Sequence, residues 1–242
     1  KGPCFAHLKA VEAILAAGDQ LPVDLVFLIE GEEECGSRAL GKFVAEGGLE
    51  PFAPLLCTVI SDTSMYGPDR PSLTLGLRGI VYTELEISGP KQDVHSGLFG
   101  GIVRNPNQLL VDALAGLVDA EGHIAVPRFY EDVQPLSARE KSLYAALEVD
   151  EQAYCRELGV DSLAGEQAYP LLERRWTRPT LDINFVSGGS PRTIIPARAK
   201  AAVSCRLVPG QDPEVIQAAL ETHIRNRLPE SNRIEFKNQH MS

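Results

Sequence analysis

Two hydrophobic patterns meet in this chain, and the point where one gives way to the other constrains the fold more than any single motif. Residues 23–29 (VDLVFLI) and 56–60 (LCTVI) are short, nearly continuous apolar runs of the kind shown by strands buried on both faces. Residues 80–87 (IVYTELEI) instead alternate apolar with polar, as a strand wetted on one face does. The change follows Gly67-Pro68. Ahead of it, residues 5–17 place Leu8, Val11 and Leu15 at helical spacing with Gly18 as a stop, and residues 36–45 read as a second helix. Helix, strand, helix, strand predicts an α/β layer with a parallel sheet. Beyond the change, helices at 107–117 and 213–227 and strands at 181–186, 199–207 and 233–236 complete a β-α-β-β-α-β order, the split βαβ pattern of a ferredoxin-like domain. A long insertion, roughly 119–178, carries helical segments at 138–147 and 151–157. The expected organisation is a partial α/β sheet domain at 1–75 followed by an α+β domain at 76–242. Two strands with two helices make a poor core on their own.

Composition narrows the functional class. With 242 residues and 44% hydrophobic content the chain can bury a core, while its net charge of −10 argues against the basic stripe that a phosphate backbone requires. Nucleic acid is not an expected partner. The cysteines, Cys4, Cys35, Cys57, Cys155 and Cys205, are odd in number, scattered and free of any C-x-x-C pair. That suits thiols in a reducing compartment better than a disulfide framework. No apolar run reaches transmembrane length, and the first residues lack the basic and apolar regions of a signal peptide. The expected location is the cytoplasm, with no membrane partner.

Residues 28–37 (LIEGEEECGS) crowd Glu32, Glu33 and Glu34 directly after the first apolar run, although neighbouring carboxylates repel and raise one another's pKa. A solvated acidic loop is one reading. A metal site with its own general base is the other. In extended backbone adjacent side chains point to opposite sides, so one carboxylate can bind a cation while the other faces the water that the cation activates. Asp62 ends the second run and lies at the same edge of the expected sheet, where open α/β sheets bind ligands; plain turn chemistry in Ser61-Asp62-Thr63 is the alternative. His95, in DVHSGLFGG (93–101), is a surface residue, an oxyanion donor or a metal ligand. His7, His123 and His223 read as ordinary histidines, and Ser96 lacks the G-x-S-x-G setting of a nucleophile. Arg206, inside the apolar strand VSCRLV (203–208), needs a carboxylate partner, from an internal salt bridge or from a substrate. Thr193, in GGSPRTIIP (188–196), follows a Gly-rich loop whose amides can approach a ligand closely, or is a plain loop threonine.

Taken in order, KGP (1–3), EGEEECGS (30–37), SDT (61–63), GLRG (76–79), DVHSGLFGG (93–101), RTIIP (192–196) and CRLVP (205–209) resemble the motifs of the dinuclear-zinc exopeptidases. That family includes carnosine dipeptidase, acetylornithine deacetylase and the glutamate-releasing carboxypeptidases, and the resemblance is closest to the dipeptidase branch. It implies hydrolysis of an amide bond in a dipeptide or N-acyl amino acid by a metal-activated water, with two divalent ions, zinc or in its place manganese or cobalt. It implies that Glu33 is the general base, Glu34 a ligand of one ion and Asp62 of the other. His95 would stabilise the oxyanion from across a homodimer, and Arg206, with Thr193 assisting, would bind the substrate's terminal carboxylate. In that family the domain corresponding to 76–242 is a lid or dimerisation domain inserted in the catalytic one. Family ligands without a counterpart are a bridging Asp just before KGP, an upstream His-x-Asp segment and a histidine near the family's C-terminus. The chain is therefore expected to be an internal segment that alone binds zinc weakly and hydrolyses nothing. A non-catalytic binding or dimerisation module that keeps the fold is the alternative.

Overall fold

A computed structural model describes the chain except for residues 1, 19, 61, 64, 68, 73, 75 and 242 and the side chain of residue 238. Lys1 of the KGP motif and Ser61 of the SDT motif lie outside the described residues. The chain forms two compact units, Lys1–Leu75 and Gly76–Ser242.

In the first unit both expected helices form, as α1 (Gly2–Ala16) and α2 (Arg38–Ala45). The two expected strands do not. Residues 23–29 and 56–60 run without a β-ladder, and none of the unit's described residues is buried. The apolar side chains that predicted the strands stand in solvent, with Phe27 45%, Ile29 67% and Ile60 79% exposed. The physical reason is that a continuous apolar run becomes a strand only when hydrogen-bonding neighbours flank it and layers cover both faces. Neither condition is met among the described residues of this unit.

The second unit contains the strands β1 (Gly79–Ser88), β2 (Val94–His95), β3 (Thr180–Gly188), β4 (Ile194–Ile195), β5 (Arg198–Leu207) and β6 (Arg233–Met241). Four of them make an antiparallel sheet in the order β3-β5-β1-β6, while β2 and β4 form a separate antiparallel ribbon, with the one-turn helix α3 (Ser96–Phe99) directly after β2. This is the split βαβ arrangement expected from the alternating pattern. Alternation decides the faces. Val81, Leu85 and Ile87 of β1 and Ala199, Val203, Cys205 and Leu207 of β5 are buried together. Their cover comes from α4 (Pro106–Ala115), through Leu110, Ala113 and Leu114, and from α8 (Pro213–Asn226), through Ile216, Leu220 and Ile224. Each large aliphatic side chain so buried contributes about 1.5–3 kcal/mol. Both helices begin as their sequences dictate. Asn105 accepts from the Asn107 amide and Asp212 from the Glu214 amide, each with proline at the first helical position, where its missing N–H costs nothing.

The opposite face carries charge. Glu86 is only 6% exposed because Arg198 and Lys200, at 3.1 and 3.2 Å, and Lys237, at 3.7 Å, roof its carboxylate. Burial alone would raise its pKa; the three cations outweigh burial and hold it below the usual carboxylate range.

The insertion between α4 and β3 folds into α5 (Ala138–Ala145), α6 (Glu151–Leu158) and α7 (Leu171–Trp176). A clasp closes it. Arg178 donates two hydrogen bonds to Glu166, at 2.6 and 2.8 Å, His123 lies 3.2 Å from the same carboxylate, and the guanidinium stacks over Tyr169 and Tyr130. Burial pushes Tyr130 up to about 12.

Candidate functional site

The acidic run divides its side chains. Glu30 accepts from the Ser37 hydroxyl at 2.8 Å, and Glu32 accepts from the Ala39 amide at 3.2 Å, in the first turn of α2, where a negative charge also complements the helix dipole. Directly after Glu32 the backbone makes a 3-10 turn, Glu33–Cys35, closed by Gly36 at φ 89, a left-handed conformation that favours glycine. Glu33 and Glu34 are exposed and have no side-chain hydrogen bond or ion pair among the described residues. The turn corrects the extended geometry expected from sequence: with three residues per turn, successive side chains diverge by about 120° rather than pointing oppositely. The expectation that Glu33, Glu34 and Asp62 meet at one rim of a sheet is not met either, since no ladder joins the two runs that precede them.

The β2–β4 ribbon brings two other candidates together. Val94 pairs with Ile195 and His95 with Ile194, the Ser96 amide and hydroxyl both donate to the Thr193 carbonyl at 3.0 Å, and Asp93 anchors the ribbon by accepting from the Ala197 amide at 2.8 Å. His95 Nδ1 accepts from the Gly97 amide at 3.0 Å. A neutral imidazole held this way carries its proton on Nε2 and presents an N–H donor on its exposed side.

Arg206 lies on the charged face of β5, opposite Thr180 on one side and Ile80 on the other. The register places Arg78, two residues before Ile80, on the same face. Burial lowers the pKa of Arg78, the nearby Arg206 and Arg175 lower it further, and Asp182 opposes them. Three guanidiniums against one carboxylate leave a positive surplus suited to an anion. Arg78 was not singled out from sequence. Its position two residues ahead of a strand with alternating pattern was the available signal. Arg206 lies eight steps along β5 from Arg198, roughly 27 Å of strand, and the β2–β4 ribbon adjoins the Arg198 end, where Asp93 accepts from the Ala197 amide.

Zinc sites are closed by four donors drawn from histidine, cysteine and carboxylate. Glu34 and Asp62 have the right chemistry, yet no group of three or more His, Cys, Asp or Glu side chains that could hold a metal ion occurs among the described residues. They supply a partial donor set and not a complete site.

Residues 75–232 match the model of the peptidase dimerisation domain. The chain is 33% identical over 247 residues to a Cys-Gly metallodipeptidase of Schizosaccharomyces pombe, covering 99% of this chain and 52% of the relative. It is 36% identical over 228 residues to the Beta-Ala-His dipeptidase of Rattus norvegicus, covering 93% of this chain and 46% of the relative. The solved structure of the di-peptidase Dug1p from Saccharomyces cerevisiae superposes with a TM-score of 0.80 at 33% identity, covering 98% of this chain and 52% of that one. The chain thus spans about half the length of the curated relatives it matches.

Proposed function

The chain belongs to the M20 peptidase dimerisation-domain family, and from that premise we propose that it is part of a dinuclear-metal dipeptidase that hydrolyses the amide bond of a dipeptide or N-acyl amino acid. The observation that carries this reading is the division of labour in the acidic run, where Glu30 and Glu32 hold the turn and leave Glu33 and Glu34 unengaged. Bound divalent ions, zinc or in its place manganese or cobalt, would supply a water of lowered pKa. Glu34 and Asp62 would each contribute a carboxylate to them, within residues 1–75 as part of the catalytic domain. Glu33 takes the proton from the attacking water. His95 donates Nε2–H to the oxyanion that forms on the substrate carbonyl, and Arg206 holds the substrate's terminal carboxylate, favoured by the positive surplus around it.

Residues 76–242 would serve as the lid and dimerisation domain of a homodimer. Distance supports this. An extended dipeptide spans roughly 7 Å, far less than the separation of Arg206 from the β2–β4 ribbon. If His95, Thr193 and Arg206 touch one substrate, the ribbon comes from one protomer and Arg206 from its partner. Thr193 then reaches the substrate from the same protomer as His95, across from Arg206. No helix among the described residues is long and apolar enough to cross a membrane. All five thiols are free, which supports a reducing compartment, read here as the cytoplasm.

With only a partial donor set, the 242-residue chain by itself binds zinc weakly and turns over no dipeptide. The test compares it with the full-length protein, assayed on a dipeptide panel with added zinc or manganese, alongside Glu33→Gln. The expected result is turnover only in the full-length protein, and its loss by a factor of about 100 or more in Glu33→Gln with metal content nearly unchanged. A full-length protein without turnover on any dipeptide would leave the non-catalytic dimerisation module as the better reading. Activity surviving Glu33→Gln would move the base elsewhere.

A further inference from the structure

The two edges of the four-stranded sheet differ. At one, β6 sets Arg233, Glu235, Lys237 and His240 along its length, a charged pattern that keeps an open edge from pairing with another chain. At the other, β3 is hydrogen-bonded through β5 alone among the described residues, and Asp182 is its single charged side chain. Its middle is apolar and faces water, with Ile183 46%, Phe185 52% and Val186 54% exposed. The register puts Ile183 and Val186, opposite Val203 and Ala201, on the helix-covered face of the sheet and Phe185, opposite Ala202, on the charged face. Apolar surface thus lies open on both sides of this edge. Helix α4 runs beside it, since the Asn107 side chain donates to the Gly188 carbonyl at 3.2 Å, and one turn further on Val111 is exposed as well.

We propose that β3 pairs with β3 of a second copy of this chain across a two-fold axis, joining two four-stranded sheets into one of eight. The inference rests on the homodimer of the proposed function and assigns its interface. A two-fold perpendicular to the sheet runs the paired strands antiparallel, so full overlap sets Asn184 on the axis and Thr180 beside the partner's Gly188. That geometry selects a second copy as the occupant. Thr180 lies opposite Arg206 of β5, whereas Gly188 lies opposite Ala199, at the end that the β2–β4 ribbon adjoins. Antiparallel pairing therefore brings the ribbon of one protomer to the end of the sheet that holds Arg206 of the other. Three interstrand spacings, about 14 Å, then separate the two β5 strands, in place of about 27 Å along one of them. The edge left open is the edge that a shared site requires.

Sedimentation velocity of the full-length protein reads the association without any substrate. A dimer is expected for the parent and for Met241→Asp, on the β6 edge, whereas Ile183→Asp and Phe185→Asp should each weaken self-association at least about tenfold, because pairing would bury a carboxylate without a partner. All three positions are exposed within one protomer, so the changes act on assembly and not on its fold. Asn184→Cys, oxidised, should form a covalent dimer through the axis, where the paired Cα atoms lie within disulfide range, above any cross-linking of the parent. A dimer undiminished in both strand β3 Asp variants, one loosened equally by Met241→Asp, or no added cross-link in Asn184→Cys overturns the β3 interface while the homodimer stands. A monomeric parent overturns the interface and the homodimer together. Turnover is not measured, so the Glu33→Gln assay decides the hydrolytic reading separately.

Discussion

Glu32 and Glu33 are neighbours with different environments. The first is tied to the Ala39 amide, while the side chain of the second has no hydrogen bond or ion pair among the described residues. No property of a run of glutamates reveals that split, because identical side chains acquire different partners only once the 3-10 turn and α2 exist. His95 shows the same dependence. Its sequence neighbourhood, DVHSGLFGG, marks a candidate, but its tautomer follows from the Gly97 amide, which can approach only because Gly97 has no side chain. A Cβ there would fall 2.8 Å from His95 Cε1 and 3.0 Å from Nδ1. In the full-length protein, where the proposed hydrolysis is to be assayed, Gly97→Ala should therefore displace the imidazole and lower kcat by between about 10- and 100-fold, with little change in thermal midpoint since the site is exposed. An unchanged kcat would remove His95 from the chemistry.

At the scale of elements, the insertion depends on one charge pair. Glu166 and Arg178 are 8% and 13% exposed, and removing one partner strands the other. Arg178→Ala should cost about 3–5 kcal/mol in urea unfolding, and Arg178→Lys should not restore it, because an ammonium cannot reproduce the two-pronged contact. The pH dependence has a definite sign. Burial raises Glu166 and the Arg178 contacts outweigh it, leaving the folded pKa below the ordinary 4.5. Glu86 follows the same pattern under its three cations. A depressed carboxylate stabilises the fold above its unfolded pKa, and that contribution disappears as pH falls through the folded value. The urea midpoint should be flat between neutrality and about pH 5 and drop below about 4.5, less steeply in Arg178→Ala, where burial acts on Glu166 without its guanidinium. An equally steep drop in the variant would show that Glu166 does not contribute. The elements themselves were largely legible in the sequence, since α4, α8, β1, β3 and β5 follow from apolar spacing. Strand β6 extends past the expected 236 to Met241. Its polar end has no apolar alternation and is held by the backbone ladder to β1, with Lys237 opposite Glu84 and His240 opposite Tyr82.

At the scale of the whole molecule, the length of β5 separates two sets of candidate residues too far for one small substrate, a separation that the proposed dimer would resolve. In the full-length protein, if the proposed shared site holds, mixing inactive His95→Ala with inactive Arg206→Ala should regenerate activity, because a mixed dimer would contain one site with an intact Arg206 and the partner's intact His95. Restoration approaching half of the parent's activity per mixed dimer is the expected outcome. Complete absence of recovery, with exchange of protomers demonstrated, would exclude the shared site. The apolar periods, the caps Asn105 and Asp212 and the order of motifs are local properties, and they determined the helices, the split βαβ sheet and the family. Neither Lys1–Leu75 nor the sites could be completed that way. A continuous apolar run records that a strand needs neighbours without supplying them, and Phe27 and Ile60 stand in water as a result. Only the tertiary structure decided which glutamates are engaged, which imidazole nitrogen holds the proton and that Arg78 lies beside Arg206, because each depends on contacts between groups set by turns and register.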